Sequence, residues 1–273
     1  MHTEIDTLFH NLWENYCAVT PSARQIHRLL DNSQGSTIVN DHIALRTFNL
    51  EKLNLEKLAA HFRALGYHQG GEYHFEAKKL YARHFEHPDA TVPKVFISEL
   101  LVEKCSDALQ ETVQKLVADV PPSVVADRSF LYSGRHWDID YATYQALLEE
   151  SEYAAWLAAW GYRANHFTVS VNHLSQFTTL AEVNRRLKQE GYRLNSSGGE
   201  IKGSPEELLE QSSTMADRAE VDFSDQTVSI PSCFYEFALR YPDADGQLYR
   251  GFVAASADRI FESTNSKTTD SND

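Results

Sequence analysis

The sequence predicts an α+β fold in which one module of strands and a helix occurs twice, with additional helices around the pair. The first observation is a strand that begins with a small polar residue and a histidine, at 41–46 and again at 165–170. The second is that each strand leads into an amphipathic helix ending in Gly-Tyr. The third is that each copy closes with an apolar strand carrying one glutamate, Glu99 or Glu236.

The spacing of apolar residues predicts the individual elements in order. The predicted helices are 3–17, 22–31 (ending at a turn over 32–35), 52–65 and 178–190, with a mostly helical segment at 101–160. The predicted strands are 41–48, several within 66–100, 165–171, short ones within 193–231, and 232–240. A further helix start is expected at 204–207, where a proline stands in the first turn. The neighbouring stretch 198–203 is glycine-rich and is expected to be a flexible lid.

These elements predict a single domain over residues 1–262. Module one covers about 36–103, a helical insertion about 104–160, and module two about 161–255. Residues 263–273 are polar throughout and are expected to be a disordered tail, because they have no apolar side chains to bury.

The composition favours a protein that acts on small molecules. Apolar residues make up 42% of 273 residues, which is enough for a large core. Acidic residues outnumber basic ones by 39 to 25, and this charge repels nucleic acid. No apolar run is long enough to span a membrane, and no signal-peptide pattern is present, so we expect a cytoplasmic protein. The three cysteines are far apart and are expected to be small buried side chains rather than disulfides or metal ligands.

His42, His166 and Glu236 are predicted to form a metal site. Side chains alternate along a strand, so each of these residues lies on the face opposite the apolar side chains that pack on the helices. An ionised glutamate in so apolar a strand needs a cation. Two imidazoles and one carboxylate make the facial arrangement that leaves open positions on an octahedral metal. The alternative is a satisfied core in which Glu236 pairs with an arginine such as Arg240.

Arg46 follows His42 by four residues on the same face and is predicted to look into the same cavity. A guanidinium there would bind a carboxylate in bidentate fashion. The alternative is a salt bridge to Glu99, which the repeat sets opposite Glu236. Four other histidines have spacings that suit no single face and are expected at the surface: His68, His74, His84 and His87.

Four segments together carry a resemblance to a known family. They are DHIALRTF (41–48), ANHFTVSVNHL (164–174), IKGSPEELLEQSST (201–214) and IPSCFYEFALR (230–240). They resemble the 2-oxoadipate dioxygenase/decarboxylases, also called hydroxyglutarate synthases, of the vicinal oxygen chelate superfamily. The resemblance covers roughly residues 36–255. It implies two βαβββ-type modules that form a cupped barrel around a metal.

The resemblance also implies a cofactor, a reaction and site residues. Fe(II) would be held by His42, His166 and Glu236, and Arg46 would be a catalytic residue that contacts a substrate carboxylate. Three further site residues are implied without assigned roles: Lys202, Gln211 and Ser213. The implied enzyme converts 2-oxoadipate and O2 to 2-hydroxyglutarate and CO2 in lysine degradation, and its partners are a 2-oxo dicarboxylate and O2.

Two other functions remain open on the same fold. One is a redox-inert lyase or isomerase of the glyoxalase type, which would use Ni, Co or Zn, need no O2, and recruit Glu99 as a fourth ligand. The other is a metal-free ligand-binding protein. The sequence carries no prediction of oligomeric state.

Overall fold

The computed structural model describes residues 3–31 and 38–264 of the chain. The predicted turn at 32–35 and residues 265–273 of the predicted tail lie outside the described residues. The first elements are α1 (Thr3–Ala18), α2 (Pro21–Leu30), β1 (Asn40–Phe48), α3 (Leu55–Arg63), β2 (His68–Phe75), β3 (Leu80–Glu86) and β4 (Lys94–Leu100). Their positions agree with the periodicity, because the helical stripes and the strand alternation are local properties of the sequence.

A helical segment follows the first module, and the second module follows that segment. The helices are α4 (Asp107–Val117), α5 (Pro122–Val125), α6 (Tyr141–Glu150) and α7 (Glu152–Trp160). The remaining elements are β5 (Ala164–Ser170), α8 (Leu180–Gln189), β6 (Lys202–Ser204), β7 (Leu209–Ser213), β8 (Arg218–Asp222), β9 (Thr227–Pro231), β10 (Phe234–Arg240) and α9 (Ala254–Ile260), with a 3-10 turn at Phe261–Thr264.

The main sheet shows the duplication directly. Its strand order is β2-β3-β4-β1-β5-β10-β7-β6. In each half the first strand pairs in parallel with the last, β1 with β4 and β5 with β10, and the halves meet where β1 pairs antiparallel with β5. Each half is therefore a βαβββ unit, and the predicted α+β fold of two such modules is confirmed. The β8–β9 hairpin forms a separate two-stranded sheet.

The Gly-Tyr pair repeats because both helices end in the same backbone turn. Gly66 and Gly191 have φ of +94° and +86°, a region that residues with a Cβ rarely adopt. In each copy the tyrosine N–H returns to a carbonyl five residues earlier, Tyr67 to Phe62 and Tyr192 to Leu187. The turn directs the chain from the helix back toward the sheet.

Helices pack on the outer face of the central strands and fix their positions. On α1, Trp13 and Tyr16 lie with their ring centroids 5.1 Å from that of Phe167 on β5. Helix α7 is buried along eight of its nine residues. The indole N–H of Trp160 donates to the carbonyl of Pro231 at 2.8 Å, which holds the chain at the entrance to β10. All three cysteines are buried and free.

Two local predictions are corrected by the structure. Residues 204–207 do not begin a helix: Ser204 ends β6, and residues 205–208 form the turn to β7, in which Leu208 has φ of +60°. Ser263 and Thr264 are not part of a disordered tail, since both are buried in the 3-10 turn that ends the described chain. Among the described residues, no helix has the length and apolar character to cross a membrane.

Candidate metal centre

Three neighbouring strands bring the predicted ligands together. Thr168 on β5 is the register partner of both His42 on β1 and Glu236 on β10, so the three positions lie side by side across the sheet. His166 joins them from β5. The four side chains are buried, and the ligand atoms of the two histidines and the glutamate all lie within 4.8 Å of one another.

The Glu236 carboxylate is only half satisfied by protein groups. Its Oε1 accepts a hydrogen bond of 2.6 Å from Gln211 Nε2 and lies 3.6 Å from His42 Nε2. Its Oε2 lies 3.0 Å from His166 Nε2 but has no hydrogen-bond partner among the described residues. An unpartnered carboxylate oxygen in a buried site is costly unless a cation meets it. Two nitrogens and one oxygen suit a divalent transition metal, so the residues present fit the predicted ion.

The charges in the site also suit a metal. Burial lowers the pKa of His166, so its imidazole is neutral near pH 7 and has a lone pair to offer. Burial by itself would raise the pKa of the Glu236 carboxyl, but the two facing imidazoles and the Gln211 hydrogen bond lower it overall. The site therefore combines the neutral nitrogen donor of His166 with the ionised oxygen donor of Glu236.

Each histidine is oriented by the residue directly before it. His42 Nδ1 lies 2.8 Å from Asp41 Oδ1, and His166 Nδ1 lies 3.1 Å from Asn165 Oδ1. In both cases Nε2 is left facing Glu236. The orienting role of these two residues was not predicted from the sequence. A small polar residue before the histidine recurs in both copies of the repeat, and this recurrence is the signal that could have identified it.

Arg240 pairs with Asp41 and not with Glu236, so the alternative of a Glu236–Arg240 pair is wrong. Arg240 Nε and Nη2 reach the two oxygens of Asp41 at 2.7 and 2.9 Å. Although burial opposes it, the guanidinium and the His42 ring hold the pKa of the Asp41 carboxyl well below its usual value. The pair is buried on both sides.

Glu99 is not the counterpart of Glu236. The β1–β4 register sets Phe96 opposite Ala44, as the β5–β10 register sets Glu236 opposite Thr168. Glu99 lies three residues further on and accepts a hydrogen bond of 2.8 Å from the backbone N–H of Leu55, at the start of α3. It contacts neither Arg46 nor the metal ligands. The alternative of an Arg46–Glu99 salt bridge is therefore wrong. Glu99 also does not provide the fourth ligand that a glyoxalase-type site would need.

A small, mostly apolar cavity of about 20 Å³ lies beside the three candidate ligands. Its aromatic walls are Phe96, Phe234, Phe252 and Phe261, and Gln211 adds an amide. Phe252 and Phe261 belong to the segment after β10, as do Ala257 and Ile260 on α9. The C-terminal part of the described chain therefore covers the cavity, a role that the sequence analysis gave to 198–203.

Comparison with known proteins identifies the family. The profile of the 2-oxoadipate dioxygenase/decarboxylases matches residues 6–126 and 128–242. The chain belongs to this family. A rice relative named 2-oxoadipate dioxygenase/decarboxylase, chloroplastic/amyloplastic, is 36% identical over 94% of this chain and 78% of its own. The crystal structure of rice hydroxyglutarate synthase in complex with 2-oxoadipate is 34% identical with a TM-score of 0.92, covering 98% of this chain and 94% of that one.

A bacterial structure is similar at higher identity. It is a Shewanella frigidimarina protein described as a candidate hydrolase, with 62% identity and a TM-score of 0.88 over 93% of this chain and 100% of that one. The family profile and the rice relative carry the name 2-oxoadipate dioxygenase/decarboxylase, and the rice crystal structure contains 2-oxoadipate.

Arg46, for which the dioxygenase/decarboxylase resemblance predicts a substrate contact, is fully buried next to the cavity but does not line it. Its Nη2 donates to Thr264 Oγ1 at 3.0 Å, and its Nη1 lies 3.5 Å from Glu152. Its Nε has no partner within the part of the chain that the structure describes. Phe261 lines the cavity, and its ring centroid lies 5.7 Å from the Arg46 Cζ atom.

The other three predicted residues of the dioxygenase/decarboxylase site lie on the neighbouring strands β6 and β7 but differ in their contacts. Gln211 lines the cavity, and its Oε1 is buried with no partner among the described residues. Lys202 Nζ instead donates to the backbone carbonyls of Asn195, Gly199 and Glu200. Burial lowers the pKa of this lysine to about 8. Ser213 is hydrogen-bonded to Ser263 at 2.8 Å. Only Gln211 faces the cavity directly.

Two of the four histidines expected at the surface are buried, which corrects that prediction. His84 and His87 are buried, whereas His68 and His74 are exposed. His84 accepts or donates at both ring nitrogens, 2.8 Å from the Tyr73 hydroxyl and 2.8 Å from Glu86. The backbone N–H of Phe252 also reaches the Tyr73 hydroxyl, at 3.2 Å. This chain of contacts supports the aromatic wall of the cavity.

Proposed function

We propose that this chain is an Fe(II)-dependent enzyme that converts 2-oxoadipate and O2 to 2-hydroxyglutarate and CO2. The observation that carries the proposal is the buried cluster of His42, His166 and Glu236, in which Oε2 of the glutamate lacks a hydrogen-bond partner. The family match and the rice structure with 2-oxoadipate supply the reaction and the substrate. When bound, Fe(II) would supply the redox chemistry and open positions for the 2-oxo acid and O2.

The reaction balances with these reactants alone. The bond between C1 and C2 of 2-oxoadipate breaks and C1 leaves as CO2. One oxygen atom of O2 enters the new carboxylate at the former C2, and the other becomes the hydroxyl on the former C3. O2 accepts four electrons, two from the decarboxylation and two from the hydroxylation. No separate reductant is needed, so the protein has to hold only one organic substrate.

The protein's part is to hold the substrate in a dry and shaped cavity. The aromatic walls exclude water and so strengthen the electrostatic contacts inside. Gln211 donates to one oxygen of Glu236 and thereby turns the other toward the ligand cluster. Its unpartnered Oε1 is an acceptor that can take a hydrogen bond from the hydroxyl group of the product.

Arg46 is the proposed contact for a substrate carboxylate. A buried guanidinium with one N–H unpartnered has a donor to offer, and the carboxylate would bind it in bidentate fashion. The 3-10 turn Phe261–Thr264 lies between the Arg46 guanidinium and the cavity, because Phe261 lines the cavity and Thr264 accepts a hydrogen bond from Arg46. This turn therefore has to shift before a substrate carboxylate can reach Arg46. A place in lysine degradation and a cytoplasmic location belong to the same proposal.

The test is O2 consumption after anaerobic loading with Fe(II). Wild-type protein is expected to consume O2 and release CO2 in equal amounts when 2-oxoadipate is added. Glu236→Ala is expected to abolish both, because one of three ligands is gone. Glu99→Ala is the matched control, since it removes the glutamate of the other module, which contacts Leu55 and not the metal site. No uptake by the wild type, together with tight Zn or Ni binding, would favour a redox-inert lyase or isomerase.

A further inference from the structure

The two histidines of the metal centre are held by partners of different charge. A carboxylate oxygen can only accept a hydrogen bond, so the 2.8 Å contact between Asp41 and His42 Nδ1 requires that Nδ1 carry the proton. Asn165 Oδ1 makes the equivalent 3.1 Å contact with His166. The duplication has thus kept the position of the partner and changed its charge.

Asp41 and Asn165 also differ in the charged groups around them. Asp41 is clamped by Arg240, with contacts of 2.7 and 2.9 Å to its two oxygens. Arg240 Nη1 in turn donates to the backbone carbonyls of Tyr249 and Gly251, at 2.9 and 2.7 Å. No cation contacts Asn165, and its Nδ2 has no hydrogen-bond partner among the described residues. The first-module histidine is therefore attached to a rigid charged network, and the second to a single amide.

We propose that Asp41 is a positioning residue that acts through His42, and that it makes His42 the stronger of the two nitrogen ligands. The carboxylate fixes the ring orientation, holds the proton on Nδ1 and increases electron density at Nε2, the atom that faces Glu236. Arg240 keeps Asp41 in place and ties it to the segment that precedes Phe252. The inference rests on the metal centre of the proposed function.

A purely structural ion pair is the competing explanation. A buried Asp–Arg pair can contribute almost nothing to the free energy of unfolding, whereas removing one partner leaves the other as an unpaired buried charge. Asp41→Asn alone leaves the Arg240 charge without a partner and can unfold the protein. The double variant Asp41→Asn/Arg240→Gln removes both charges together and keeps a polar side chain at each position, so it serves as the second test variant.

The test measures metal affinity and imidazole tautomer separately from catalysis. Co(II) is titrated into metal-free protein against a competing chelator, and the ring nitrogens are observed by ¹⁵N NMR before any metal is added. We expect the wild type to hold His42 with the proton on Nδ1. In the folded Asp41 variants we expect mixed tautomers and a Co(II) affinity lower by roughly 10–100-fold. Asn165→Ala, the matched change in the other module, is expected to weaken Co(II) binding by less.

The outcomes distinguish this inference from the proposed function. Folded Asp41 variants that bind Co(II) as tightly as the wild type would overturn the inference, as would an equal loss in Asn165→Ala. Wild-type protein that binds Co(II) but consumes no O2 after loading with Fe(II) overturns the proposed reaction and leaves the inference standing. Wild-type protein that binds no Co(II) overturns both.

Discussion

Phe252 meets the ring of His42 edge-on, with 4.8 Å between the centroids and 90° between the planes. The same phenyl ring lies 5.3 Å from the ring of Phe96 and 5.1 Å from that of His84. The guanidinium of Arg240 lies 5.1 Å from its centroid. One side chain from the segment after β10 thus packs against a candidate metal ligand, the cavity wall and the Asp41–Arg240 pair at once.

Phe252→Ala is expected to lower the free energy of unfolding by about 3–5 kcal/mol, because a buried phenyl ring is replaced by a cavity. Phe252→Leu, which keeps most of the volume, is expected to lower it by less. Urea unfolding of the metal-free protein measures both. Equal stability of the wild type and Phe252→Ala would mean that the segment does not pack on the cavity as the structure describes.

Arg46→Ala is expected to raise KM for 2-oxoadipate strongly while leaving metal affinity nearly unchanged, because the guanidinium is proposed to bind a carboxylate and not the ion. Steady-state O2 uptake and a chelator competition measure the two quantities. Glu152→Gln is the control, since it removes the carboxylate 3.5 Å from Arg46 and keeps the guanidinium. Loss of metal in Arg46→Ala would reverse the assignment.

The repeated Gly-Tyr turn offers a matched pair of substitutions. Gly191→Ala is expected to cost about 1–2 kcal/mol of stability, since a Cβ there meets nothing within 4 Å and only the positive φ is unfavourable. Gly66→Ala is expected to cost more, because its Cβ would also lie 3.3 Å from His87 Nε2. Urea denaturation compares the two. A smaller loss in Gly66→Ala than in Gly191→Ala would contradict this explanation.

Glu86 predicts a pH dependence of stability. Burial opposes ionisation, but the hydrogen bond from His84 and the charge of Arg250 lower the pKa of this carboxyl to about 2 from its usual 4.5. A lowered folded-state pKa stabilises the protein above pH 4.5, and this contribution is lost as the pH falls from 4.5 toward 2.

Glu86→Gln is therefore expected to be less stable than the wild type at pH 7 by about 1–2 kcal/mol. This value is smaller than the pKa shift alone would give, because solvent screens the charge of the half-exposed Arg250. The difference should narrow between pH 4.5 and 2. Unfolding free energies at pH 7, 5 and 3 test this, with the exposed Glu51→Gln as control. A difference that stays constant with pH would show that the carboxyl is not stabilised by its charge.

The sequence was sufficient to predict that the three candidate ligands come together, because the face on which a strand residue lies is a local property. His42, His166 and Glu236 each follow from alternation within one strand, and the duplication predicts that the strands meet. The same is true of the four helices that were predicted individually (α1, α2, α3 and α8), because an apolar stripe is visible without knowledge of the element it packs against.

Errors arose where the outcome depends on pairing between distant segments. The register of β4 on β1 determines that Phe96, and not Glu99, corresponds to Glu236. The Asp41–Arg240 pair joins two strands that are separated by β5, so curvature of the sheet has to be known. At 204–207 the helical signal was overridden by the β6–β7 pairing, and Ser263 and Thr264 are buried by contacts with Ser213 and Arg46.

The seam between β1 and β5 divides the ligand set unequally. One half of the duplication contributes His42, and the other contributes His166 and Glu236. Neither half has a complete set, so neither would hold an ion in this geometry if it were separated from the other. A bound ion would be a cross-link between the two halves, and metal loading would raise the resistance of the whole sheet to unfolding rather than that of one module.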